Sequence, residues 1–189
     1  DFDKSLPSDW REKGYVIYLG GGIQKNKNSE GVVNAYKVFV DTLVSEGKGL
    51  GDVPYLVIAG KIFLNMESKE SKKLHELITQ FGLNEKVIFT GFYEDKEKYS
   101  LLKNSLLFVH LSLYEGFGIA VGEARRAGTA VVVDKNSSYP EVVGDTGLLV
   151  DGNDPVESGN AIYKLYNDRG LAVTLGAQAR ERSMQFSWS

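Results

Sequence analysis

The residues best suited to chemistry lie in one stretch, Ser112-Leu113-Tyr114-Glu115-Gly116-Phe117-Gly118-Ile119-Ala120-Val121-Gly122-Glu123-Ala124. It follows a run of strand character and opens one of helical period. Gly116 and Gly118 let the backbone come close to a ligand and leave amide N–H groups unobstructed. The first N–H groups of a helix have no intrahelical acceptor and carry partial positive charge, so such a start suits a phosphate. Glu115 lies in the loop before the helix and Glu123 roughly a turn and a half inside it. Helical side chains lean back toward the N-terminus, so Glu123 can address the same crevice. Two ionised carboxylates beside a phosphate cradle suit a hydroxyl-rich ligand, because each accepts paired hydrogen bonds from vicinal diols. On spacing alone a plainer reading stands equally: Glu115 is solvated and Glu123 caps or pairs locally.

Positioning these groups takes a scaffold of alternating strands and helices. Strands are expected at Tyr15–Leu19, Tyr55–Ala59, Val87–Thr90, Leu106–His110, Ala130–Val133 and Leu148–Val150, short β-branched and aromatic runs that end in turn-forming residues. Helices are expected at Glu30–Val44, with Val33, Tyr36, Val40 and Leu43 or Val44 on one stripe, and at Ser68–Phe81, with Leu74, Leu77, Ile78 and Phe81. Further helices follow at Glu94–Asn104, Gly118–Ala127, Pro155–Tyr166 and Leu171–Met184. Gly82 and Gly128 sit where helices stop, and Asp154-Pro155 reads as a cap followed by proline at the first helical position. This alternation predicts an α/β domain, a doubly wound parallel sheet of about six strands. Ligands of such sheets bind beyond the carboxyl ends of the strands, where the strand order reverses.

Bulk properties narrow the classes. A chain of 189 residues suits one well-buried domain, and a net charge of −3 gives no basis for a nucleic-acid partner. There are no cysteines, which excludes disulfides and thiolate metal sites. Apolar runs are strand-sized, far below the roughly 18 residues of a membrane span. Residues 1–14 are polar at the outset and read as a linker tail, and a cytoplasmic setting is the default expectation.

Other chemistries fit poorly. Gly20-Gly21-Gly22 follows the first strand, but the third glycine of a dinucleotide fingerprint is missing and no acid ends the second strand at Ala59-Gly60-Lys61. No Gly-x-Ser-x-Gly elbow exists, and no His and Asp cluster has metal-ligand spacing, so no metal is expected. Of two histidines, His75 reads as a solvated or partly buried spectator. His110 ends a strand five residues before Glu115 and could line the crevice, although packing weighs more.

Glu115 and Glu123 have seven residues between them, within Glu-Gly-Phe-Gly and Glu-Ala. Together with Gly128-Thr129-Ala130-Val131-Val132, the run Glu141 to Val150, Asp154, Val87-Ile88-Phe89-Thr90-Gly91 and Leu56-Val57-Ile58-Ala59-Gly60, this string resembles the retaining GT-B glycosyltransferases of the group 1, or family 4, type. The resemblance covers nearly the whole chain. It implies a Rossmann-like C-terminal half of a two-domain enzyme, with residues 15–189 binding a nucleoside diphosphate sugar and no further cofactor. Glu115 would bond the sugar hydroxyls, and the backbone of Gly116, Phe117, Gly118 and Ile119 would hold sugar and diphosphate. Lys27 would meet the β-phosphate beside Gly20 and Gly21, Glu123 would bond the ribose, and Lys86–Val87, or the loop after that strand, would meet the base. The implied partner is an N-terminal acceptor-binding domain outside this sequence. The implied acceptor is a sugar or a lipid-linked glycan, with peripheral membrane association in relatives that use lipid-linked acceptors. The fragment alone is then expected to be inactive.

Two positions depart from the family pattern. The arginine usually found six residues before the lysine falls on Gly21, and the proline often found before Ser112 is Leu111. Lys25 or Lys61 could supply the missing charge, but a lysine lacks the forked donors of arginine. Gly21 therefore keeps a second class open, a non-catalytic nucleotide-sugar-binding module. A purely structural domain would need neither carboxylate.

Overall fold

A computed structural model describes residues 6–20, 25–91, 93–116, 118–136 and 138–185. The element order is α1 (Trp10–Lys13), β1 (Tyr15–Leu19), α2 (Ser29–Ser45), β2 (Tyr55–Ala59), α3 (Lys69–Gln80), β3 (Val87–Gly91), α4 (Asp95–Asn104), β4 (Leu107–His110), α5 (Ile119–Arg126), β5 (Val131–Asp134), α6 (Tyr139–Val143), β6 (Leu148–Val150), α7 (Pro155–Asn167) and α8 (Arg169–Gln185). The six strands form one parallel sheet in the order β3-β2-β1-β4-β5-β6. The order reverses between β1 and β4, as a doubly wound fold requires.

Side chains alternate across each strand, and the sheet separates two cores. Val16 and Tyr18 of β1 join Val32, Val33, Tyr36, Phe39 and Val40 of α2 on one face. Tyr15, Ile17 and Leu19 face Leu101 and Leu102 of α4 and Val121 and Ala124 of α5 on the other. Burial on both faces explains why these strands read as unbroken apolar runs. The α2 stripe closes on Leu43, which is 3% exposed, whereas Val44 is 44% exposed.

Local signals explain most ends. Asp154 accepts from the amides of Val156 and Glu157, with Pro155 at the first helical turn. Gly82 and Gly128 follow α3 and α5 at φ 68° and 79°, left-handed positions that a side chain would strain.

Two short helices lay outside the expectations. Within the segment expected as a linker tail, residues 6–13 are packed on the domain, with Leu6 and Trp10 buried and Trp10 set edge-on to Tyr15. One large aromatic among polar neighbours gives no periodicity, so this anchor escapes a pattern search. Helix α6 is equally silent, at five residues with a proline at its start. No helix among the described residues is long and apolar enough to cross a membrane.

Candidate functional site

The crevice opens where β1 and β4 lie side by side and their chains depart to opposite halves of the sheet. The loop after β1 leads to α2, and the loop after β4 leads to α5. Hydrogen bonds join the two loops: the Asn26 carbonyl accepts from the Leu113 amide at 2.8 Å and from Ser112 Oγ at 3.0 Å.

Asn28 is the joint. It is the one non-glycine among the described residues with a positive φ, 52°. Its Oδ1 caps α2 by accepting from the Gly31 amide at 3.2 Å. Its Nδ2 donates to the Leu111 carbonyl at 3.0 Å and the Gly152 carbonyl at 2.8 Å. Gly152 in turn donates its amide to buried Asp134 at the end of β5. One side chain thus orients the residue before it, Lys27, against three strand ends.

Lys27 Nζ donates to Glu115 Oε1 at 2.5 Å, and His110 Nε2 lies 3.4 Å from the same oxygen. The His110 ring and the Lys27 ammonium hold the Glu115 carboxyl down at about 2, against burial, which pushes it up. The carboxylate is therefore ionised at any physiological pH, as an acceptor for hydroxyls must be. Three rings surround His110: Phe108 stacked at 5.7 Å, Tyr18 tilted at 5.8 Å and Tyr139 edge-on at 5.9 Å. Tyr18 is pushed up to about 12 by burial, and burial raises Tyr139 as well, so both are neutral phenols.

The glycines of the Glu115 loop differ in purpose. A Cβ on Gly116 would meet nothing within 4 Å, which leaves open space beside the carboxylate. Gly118 precedes α5 at φ 66°, and a Cβ there would lie 2.8 Å from Tyr139 Cε1. Left-handed geometry at this point turns the chain into α5, whose first amides have no helical acceptor. At the end of β1, a Cβ on Gly20 would strike Phe63 at 2.3 Å, so Gly20 serves close packing under the crevice. Ile119 begins α5 with its side chain exposed.

Glu123 does not join the Lys27–Glu115 pair. It accepts from Lys98 Nζ of α4 at 2.7 Å, a bond that raises the Lys98 ammonium above its ordinary value. Val87 stands apart from these groups. It starts β3, opposite Leu56, and is 7% exposed. Lys86, just before it, is also buried and donates to the carbonyls of Gly51 and Val53. Both residues occupy the amino edge of the parallel sheet, opposite the carboxyl edge where the crevice lies. Gly21 and Phe117 lie outside the described residues. Lys25 and Lys61 are exposed, and half-buried His75 stacks on Phe89 at 4.3 Å and meets the Phe63 carbonyl.

Two further residues support the site without having signalled it in sequence. Buried Arg125 of α5 donates to the Val142 carbonyl and to Thr146 Oγ1, which ties α5 to helix α6, the element carrying Tyr139. Asn28 had the mark of a cap, an asparagine just before a helical pattern. A cavity of about 540 Å³ next to Asn28 is lined by Lys25, Ser29, Asn34, Lys69 and Lys73 among others, and by none of Lys27, His110 or Glu115.

Comparison with known proteins identifies the family and the fold. Residues 3–182 match the family described as "Glycosyl transferases group 1". The O-antigen chain mannosyltransferase B of Escherichia coli is 31% identical over 181 residues, 93% of this chain and 43% of that protein. The chain thus spans less than half the length of that relative. Anabaena HepE, solved in complex with UDP-glucose, superposes with a TM-score of 0.77 at 22% identity over 97% of this chain and 48% of its own. The C-terminal domain of LpcC, a glycosyl transferase group 1 family protein from Francisella tularensis, superposes with a TM-score of 0.75 at 23% identity, covering 98% of this chain and 97% of that one. The chain belongs to the group 1 glycosyl transferases and has the fold of their C-terminal domains.

Proposed function

We propose that this chain is the donor-binding domain of a retaining glycosyltransferase and holds a nucleoside diphosphate sugar in the crevice between the β1 and β4 loops. The observation that carries the reading is the Lys27–Glu115 pair at that crevice, beside the start of α5. Without ligand each group neutralises the other. With donor bound, Lys27 turns to the β-phosphate and Glu115 accepts hydroxyls of the transferred sugar. The Gly118 and Ile119 amides face the diphosphate, and the open space at Gly116 admits the sugar. Glu123 exchanges Lys98 for the ribose hydroxyls. As the bond from the anomeric carbon to the leaving oxygen lengthens, positive charge gathers on the sugar ring and negative charge on the diphosphate. Fixed amide dipoles and Lys27 stabilise the latter without a metal. The acceptor, a sugar or a lipid-linked glycan, enters from a separate N-terminal domain. HepE was solved with UDP-glucose and the E. coli relative is a mannosyltransferase, which supports a nucleotide-sugar donor.

Titration of the chain with UDP, GDP and ADP, followed by amide NMR, tests the reading. One nucleotide should saturably shift Glu115–Glu123 signals, and Glu123→Ala should weaken that response. No shift from any of them at millimolar concentration would remove the donor site. Gly21 in place of the family's arginine favours a second reading, a nucleotide-sugar binder without turnover. Sugar transfer by the longer protein that contains this chain would exclude it.

A further inference from the structure

We propose that His110 is the positioning residue for Glu115: its Nε2–H holds the carboxylate in place when a donor sugar is bound and Lys27 has turned to the diphosphate. The inference rests on the donor-site reading above. Its basis is geometric. His110 Nε2 and Lys27 Nζ address the same oxygen, Glu115 Oε1, at 3.4 and 2.5 Å. The His110 side chain is 6% exposed and is wedged among Phe108, Tyr18 and Tyr139, so the ring is not free to turn.

The other ring nitrogen settles what His110 offers. Nδ1 is buried and has no hydrogen-bond partner among the described residues. A buried N–H without an acceptor costs more than an unfilled lone pair, so the proton belongs on Nε2. With its hydrogen on Nε2 the ring is a donor aimed at Glu115. Its charged and titratable neighbours are Glu115, Lys27 beyond it, Tyr18 from β1 and Tyr139 from α6. A ring N–H donor suits the chemistry. It orients the carboxylate but leaves its negative charge available to a sugar ring that becomes positive.

Two substitutions separate positioning from packing. His110→Phe keeps the aromatic volume and removes the donor, while His110→Gln places an amide nitrogen near the Nε2 position. The first readout needs no ligand: the Glu115 side-chain carboxyl carbon followed by NMR from pH 7 to pH 3. The wild-type signal should stay at its ionised position throughout. In His110→Phe it should move within that range, and His110→Gln should restore it. The second readout compares UDP with UDP-glucose and GDP with GDP-mannose. For the pair that binds, His110→Phe should lower the nucleotide-sugar affinity about tenfold while the nucleotide affinity stays within about twofold. A Glu115 titration that is unmoved in His110→Phe, or moved equally in His110→Gln, overturns the inference even if nucleotide binding is intact. Absence of nucleotide binding in the wild type overturns the donor-site reading instead, and the carboxyl titration still decides whether His110 holds Glu115. The wild-type ring-nitrogen spectrum adds a check independent of any variant: a proton on Nδ1 of neutral His110 overturns the assignment.

Discussion

Replacing Asn28 by alanine removes three hydrogen bonds and leaves a β-carbon-bearing residue at φ 52° with no side-chain oxygen to bond locally. Loss of the α2 cap is worth about 1 kcal/mol. The Leu111 and Gly152 carbonyls lose their donor. They are only partly shielded and water can reach them, so about 0.5–1 kcal/mol each is the appropriate scale. The left-handed backbone adds about 1 kcal/mol for alanine. These contributions predict a destabilisation of about 3–4 kcal/mol for Asn28→Ala. Asn28→Gly loses the same bonds but accepts the backbone, so it should be less destabilised by about 1 kcal/mol. Urea unfolding followed by tryptophan fluorescence, with Trp10 buried as the reporter, measures both. The same variants should weaken nucleotide binding more than global stability alone explains, because Lys27 adjoins the altered residue. An Asn28→Ala loss below about 1 kcal/mol, or equal losses for alanine and glycine, would refute the assignment of Asn28 as the joint between the loops.

Three further outcomes are expected. Glu115 has a folded pKa of about 2, below its ordinary value of 4.5, so its bonds to His110 and Lys27 add stability above pH 4.5 and lose that contribution as the pH falls toward 2. Glu115→Gln should therefore destabilise at pH 7 by about 2–3 kcal/mol and converge on the wild type below pH 3, a trend read from thermal melts across pH. Gly118→Ala should cost about 2 kcal/mol or more, because φ is 66° and the new methyl lies 2.8 Å from Tyr139; Gly116→Ala, with open space, should melt within about 1 °C of the wild type while impairing donor binding. Lys98→Met should cost under about 1 kcal/mol, since the Glu123 partner is 35% exposed, and a loss above about 2 kcal/mol by chemical denaturation would show a more buried pair than the geometry gives.

The sheet was legible because its strands are buried on both faces and the helices between them carry a clear apolar stripe. Three strand boundaries match to the residue, and the other three differ by one. What sequence could not supply is tertiary. Lys98 reaches Glu123 across 25 positions, and His110 gains its meaning only from Glu115 and three rings brought around it. Neither contact leaves a periodic trace. Helix α6 is too short for a period, and Trp10 is one residue rather than a pattern. Val87 is different in kind. The direction of a parallel strand already places its first residue away from the carboxyl edge.

The bonds that close the crevice join distant parts of the chain: Lys27 and Glu115 are separated by 88 positions, and Asn28 and Gly152 by 124. Neither half of the sheet contains the pocket. It is a seam, formed when the β1–β3 half meets the β4–β6 half, and closing loops of such length comes late in folding. A ligand gripping both sides acts as a clasp between two half-sheets. Nucleotide should therefore slow amide exchange in β1 and β4 together, including at positions far from any contact with it.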